Sequence, residues 1–76
     1  MKYKRFGVWL KTKLKDNNIL QQELAHEICV STNTVTSWTT GAREPGIRNF
    51  IWICRFFAII EGVHPTEIIS EAADLF

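Results

Sequence analysis

Thr32, Asn33, Thr36 and Ser37, followed by Thr40, are short, hydrogen-bonding and uncharged, and a helical repeat gathers them on one outward side of residues 32–40. Side chains of this kind do no covalent chemistry unaided; they match donors and acceptors on a partner. Asparagine makes a bidentate contact to the edge of adenine, and threonine methyls meet the methyl of thymine. The pattern therefore predicts a helix that reads base edges in a major groove, with A/T-containing half-sites. A merely soluble helix face is the bland alternative, and it leaves the hydrogen-bonding character of every outward position to chance.

The chain's reactive residues do not assemble into a catalytic set. His26 and His64 have no Ser or Asp arrangement suited to a proton relay, and Cys29 and Cys54 read as structural thiols, so an enzyme is not expected. His26 and Cys29 have a metal-compatible local spacing, but Cys54 would have to be brought to them by folding. No metal, cofactor or small-molecule ligand is expected.

A reading helix has to be held by others. Ahead of it, residues 21–29 place Leu24 and Ile28 one turn apart, with a small Ala25 where a second helix must approach closely. Ser31 is a natural N-cap for a helix over 32–39, and Gly41 a left-handed stop after it. Two short helices across a tight turn, residues 21–40, form the pattern of a helix-turn-helix. The first helix is expected over 4–15, with Phe6, Leu10 and Leu14 as its buried stripe beside Trp9, and with Lys4, Lys11 and Lys15 opposite. Asn17 and Asn18 suit its end. A fourth helix over 47–60 carries Ile47, Phe50, Ile51, Cys54 and Phe57 as one stripe. Trp52, Phe56, Ile59 and Ile60 crowd its neighbouring faces. Pro65 fits the first position of a fifth helix over 65–75, which offers Ile68, Ile69, Ala72, Leu75 and Phe76. With no strand alternation anywhere, the fold class is all-α.

At 76 residues there is room for one domain, spanning 1–76, and no ligand-sensing domain beside it. Hydrophobic residues at 46% and charged residues at 22% exclude a disordered chain. The apolar run 50–60 is interrupted by Arg55 and is far short of a membrane span. The basic start lacks the long apolar core of an export signal, and two cysteines suit a reducing cytoplasm. A net charge of only +1 argues weakly against nucleic acid until its distribution is considered. Lys2, Lys4, Arg5, Lys11, Lys13 and Lys15 precede position 16, whereas Glu61, Glu67, Glu71 and Asp74 make the end acidic, so a basic face can meet phosphate while the acidic end points away.

Gln21, Glu23-Leu24-Ala25, Val30-Ser31, Thr34-Val35, Trp38, Gly41 and Pro45, in that order and followed by an apolar helix and Gly62-Val63, resemble the lambda-repressor-like, Cro-type helix-turn-helix proteins of the XRE family. The resemblance covers about residues 6–69 and implies a compact five-helix DNA-binding domain. Four departures stand out. Cys29 replaces the usual glycine of the turn, implying a left-handed cysteine or an altered turn at roughly 1 kcal/mol. Leu20 replaces the usual Ser or Thr cap of the second helix, so Asn18 is expected to cap a slightly longer helix. Leu14 and Thr39 stand where the family often pairs an Arg with a Glu. Losing one partner strands a buried charge at about 3 to 5 kcal/mol, while losing both can be neutral. The fourth helix also runs longer than usual before Gly62.

The resemblance further implies that Gln21, Ser31, Thr40, Arg43 and the amide end of the fourth helix at Ile47 meet the DNA backbone. A helix N-terminus attracts anions in any case. Few cations near the groove imply modest affinity per subunit, which a homodimer on a near-palindromic operator overcomes, with Trp52, Phe56, Ile59 and Ile60 as its contact. A transcriptional repressor acting by operator occlusion is the simplest function. The alternative is an antitoxin-like or adaptor module that uses the same fold to bind protein.

Overall fold

The computed structural model describes residues 4–75; Lys2 and Phe76, named above for the basic start and the last helix, lie outside the described residues. Five helices follow in order: α1 (Lys4–Asp16), α2 (Gln21–Glu27), α3 (Thr32–Thr39), α4 (Ile47–Glu61) and α5 (Pro65–Ala73). No strand occurs among the described residues.

Apolar residues spaced by three and four close each helix onto one core. Phe6, Leu10 and Leu14 of α1, Leu24 and Ala25 of α2, Val35 and Trp38 of α3, and Ile68 and Ala72 of α5 are all buried. From α4 the buried set is Phe50, Ile53, Cys54, Phe57 and Ala58. This corrects the expected α4 stripe: Ile53 and Ala58 belong to it, whereas Ile47 is 74% exposed and Ile51 41%. The helical period counted from Phe50 puts 53, 54, 57 and 58 on the core side and 51 at its margin; Ile47 shares the core-side direction but is the first residue of α4, at the open end of the helix. Trp9 is half-buried and packs edge-on against Phe57, with ring centroids 6.2 Å apart.

Where α1 crosses α3, backbone meets backbone. A Cβ at Gly7 would lie 2.7 Å from the carbonyl oxygens of both Trp38 and Thr39, so α1 reaches its seat only with glycine there.

The departures noted in the sequence resolve individually. Cys29 is left-handed, with φ 60°, and α2 ends at Glu27, two residues earlier than expected. Asn18 does not cap α2: it is itself left-handed, with φ 56°, and closes α1, while Ile19 N–H reaches back to Leu14 O at 2.8 Å. Leu20 occupies the N-cap of α2, and its N–H donates to Glu23 Oε1 at 2.9 Å, giving one half of a capping box. Leu14 is buried among apolar neighbours, and the buried Thr39 hydroxyl donates to Thr36 O at 3.1 Å, so the joint replacement strands no charge. α5 stops at Ala73, and His64 is its N-cap, with Nδ1 accepting from Thr66 N–H at 3.2 Å.

One polar network ties α1 to the far end of the chain. Lys13 Nζ lies 2.9 Å from Glu61 Oε2 and 3.0 Å from Glu71 Oε1. Asn17 Nδ2 donates to Glu61 and Trp9 Nε1 to Glu71. Burial alone would lower the Lys13 ammonium, but the hydrogen bonds and charges of the two carboxylates outweigh it and hold it above its ordinary value. The Lys13 hydrogen bond holds the Glu61 carboxyl below its ordinary value. Lys13, counted above among the cations of the basic start, is thus engaged within the fold.

Candidate nucleic-acid interface

α3 begins on a complete cap. Ser31 Oγ accepts from Thr34 N–H at 3.1 Å and lies 2.9 Å from Thr34 Oγ1. Val35 and Trp38 turn into the core, which leaves Thr32, Asn33, Thr36 and Thr40 exposed and Ser37 half-buried on the opposite side. α2 supports this arrangement from behind, with Val30 N–H bonded to Ala25 O at 3.0 Å across the turn.

Three of the hydroxyls on this side, those of Thr36, Ser37 and Thr40, point their hydrogens back into the protein. Ser37 Oγ donates to Thr34 O at 2.6 Å, and Thr40 Oγ1 to Ser37 O at 3.4 Å. Thr36 Oγ1 donates to Gln21 Oε1 at 2.9 Å and to Thr32 O at 3.1 Å, which joins the start of α2 to the middle of α3. Each hydroxyl keeps its lone pairs as acceptors, and the threonines also keep their methyls. Asn33 makes no side-chain hydrogen bond among the described residues.

Beside α3 lies a polar notch between it and the start of α4, lined by Asn33, Ser37, Arg43, Glu44, Gly46 and Asn49. The segment leading to it is set by Gly41 in the left-handed region, with φ 81°, and by Arg43 N–H on Ser37 O at 3.0 Å. α4 starts from Gly46, which supplies no capping side chain, so the amides of its first turn point outward beside Arg43. The Ile47 side chain itself is apolar and exposed.

Of the residues singled out in the sequence, then, Thr32, Asn33, Thr36, Ser37 and Thr40 share one side of α3. Gln21 is bonded to that side, and Arg43 with the amide end of α4 borders it. Ser31 caps α3 as an acceptor. Sequence reasoning missed Asn49 and Glu44 in the notch; the signal for Asn49 was a polar residue beside Arg48 in the first turn of a mostly apolar helix.

A family model described as Helix-turn-helix matches residues 10–59, which takes in the end of α1, all of α2 and α3, and nearly all of α4. The chain belongs to this family, the lambda-repressor-like, Cro-type regulators. As a member of the helix-turn-helix family it is a DNA-binding regulator of the XRE type. No curated protein and no solved structure matches it.

In this helix-turn-helix protein the remaining reactive groups lie apart. Cys29 is exposed and Cys54 buried, and both are free thiols. Burial pushes the Cys54 thiol up to about 11, so it stays protonated at neutral pH. Among the described residues no three of His, Cys, Asp and Glu come together as metal ligands. No helix there is long and apolar enough to cross a membrane.

Along the outer side of α4, Trp52 is 46% exposed, Ile59 81% and Ile60 41%, and Phe56 is half-buried beside them. Arg55 lies over the Trp52 ring, 4.9 Å from its centroid. Glu27, Ile28, Arg55 and Ile59 border one groove on this side.

Proposed function

We propose that residues 1–76 act as one unit, a repressor that occupies a near-palindromic operator as a homodimer and blocks transcription by occlusion. In this reading Thr32, Asn33, Thr36, Ser37 and Thr40 meet base edges, with Asn33 on adenine. Gln21, Ser31, Arg43 and the amide end of α4 at Ile47 meet phosphate, which fixes register without carrying sequence information. The observation that carries the reading is the division of α3 into a core side of Val35 and Trp38 and an outer side made wholly of short hydrogen-bonding residues.

The dimer contact is the exposed apolar side of α4, with Trp52, Phe56, Ile59 and Ile60. Apolar surface of this extent is rarely left open to water. Arg55 and Glu27 rim the same groove, and a two-fold axis that set the Arg55 of one copy against the Glu27 of the other would pair opposite charges twice. Two copies then bring their α3 helices to adjacent turns of one DNA face, about 34 Å apart.

The test is selection from random duplex DNA. A palindrome containing A/T-rich half-sites should emerge, and replacing both Asn33 and Ser37 by Ala should abolish the preference while leaving weak nonspecific binding. If the preference survives that double substitution, α3 is not the reader. If no duplex is enriched and a protein partner copurifies at fixed ratio, the regulator reading gives way to an adaptor or antitoxin-like module.

A further inference from the structure

The hydrogen bond from Thr36 to Gln21 does more than join two helices. A glutamine amide has one acceptor oxygen and two N–H donors, and a threonine hydroxyl has one hydrogen. Thr36 directs that hydrogen at Gln21 Oε1, 2.9 Å away, and shares it with Thr32 O at 3.1 Å. The Gln21 oxygen is thereby turned toward α3 and its amino group is left to donate; that group has no hydrogen bond among the described residues. Phosphate oxygens accept and never donate, so the unbonded half of the amide is the half that suits them. The same bond removes the Thr36 hydrogen from any role toward a base, leaving it a methyl and an oxygen that can only accept.

We propose that Thr36 is a positioning residue for Gln21, holding the amide so that its amino group meets a DNA phosphate, and that its own readout of sequence is confined to its methyl on a thymine. This rests on the base-reading role of α3 and divides two tasks between the two ends of one side chain. Ser37 and Thr40 also donate into the helix, but to carbonyls of α3 itself, so they orient no other residue.

The division is tested with two probes, the tightest duplex that the wild-type protein selects from a random library and a scrambled duplex of the same composition. Thr36→Val keeps a methyl and loses the hydroxyl. It should bind both duplexes about tenfold more weakly, the effect of roughly one lost hydrogen bond to a charged group, with the preferred bases unchanged. Thr36→Ser keeps the hydroxyl and loses the methyl. It should retain wild-type affinity for the scrambled duplex while its thymine preference relaxes at one position. Gln21→Ala should match Thr36→Val, and the double variant should be no weaker than Gln21→Ala alone. Gln21→Glu keeps an acceptor for Thr36 but turns a carboxylate oxygen outward, and should lose more than Gln21→Ala on both duplexes. This last comparison needs no change at Thr36, and thermal melting of each variant establishes that it is folded. Additive losses from Thr36→Val and Gln21→Ala, altered base preference in Thr36→Val, or equal binding by Gln21→Glu and Gln21→Ala would each overturn the proposal. If the wild-type protein enriches no duplex at all, it is the base-reading role itself that fails.

Discussion

At the scale of the residue, two positions show backbone geometry overruling side-chain preference. Cys29 holds φ 60° in the turn between α2 and α3, where its Cβ approaches the following carbonyl and only glycine escapes the penalty. Cys29→Gly is expected to raise stability by up to about 1 kcal/mol in urea denaturation, the gain being trimmed by the greater freedom of glycine in the unfolded chain. Gly7 presents the opposite case. Any Cβ there meets two backbone carbonyl oxygens at 2.7 Å, and neither can rotate away as a side chain would. Gly7→Ala should therefore cost about 1 to 3 kcal/mol despite the better helix propensity of alanine, measured by the same denaturation curves. A stable Gly7→Ala protein would mean that α1 can shift on α3 at little cost. At Cys29 the resemblance left two readings, a left-handed cysteine or an altered turn, and the structure has the first. Gly7 was not legible from the sequence, because a glycine inside a helix says nothing by itself about which backbone will lie against it.

At the scale of the element, α1 is fastened to α4 and α5 by charge as well as by its apolar stripe. Glu61 is held below its ordinary value of 4.5 by Lys13, so its contribution to stability is complete above that value and is lost as pH falls through the lowered folded-state one. Lys13 is held above its ordinary value of 10.5, and its contribution is complete below that value and lost as pH rises through the higher one. Stability should accordingly decline on acidification below about pH 4.5, and Glu61→Gln should flatten that decline while lowering stability at neutral pH. Melting temperatures across the acid range check this, and an unchanged acid slope in Glu61→Gln would show that the pair is not coupled to folding. The sequence placed Lys13 in a basic segment and Glu61 and Glu71 in an acidic one, but it offered no means of pairing residues so far apart.

At the scale of the whole molecule, α4 carries more apolar surface than one copy of the chain covers. Ile59, at 81% exposure, makes little contact with its own core, so Ile59→Asp should leave the fold intact. Sedimentation should find wild-type dimers and Ile59→Asp monomers at the same concentration, with affinity for a palindromic duplex at least about tenfold lower in the variant. Wild-type protein that sediments as a monomer on and off DNA would remove the dimer from the proposed mechanism.

The sequence by itself determined the five helices, the turn between α2 and α3 and the polar side of α3, because these follow from local spacing, caps and left-handed positions that act within a few residues. It also determined the family, since the ordered set from Gln21 to Pro45 is a record of those same local requirements. Only the tertiary structure decided which side of α4 is core, since a helix apolar all round has no preferred face until α1 and α5 pack on it. Tertiary structure likewise decided that Gly7 lies under α3, that Lys13 faces two carboxylates, and that Thr36 turns its hydroxyl toward Gln21. Each of these is a contact between helices, fixed by the angle at which they meet, and no periodicity within one helix encodes that angle.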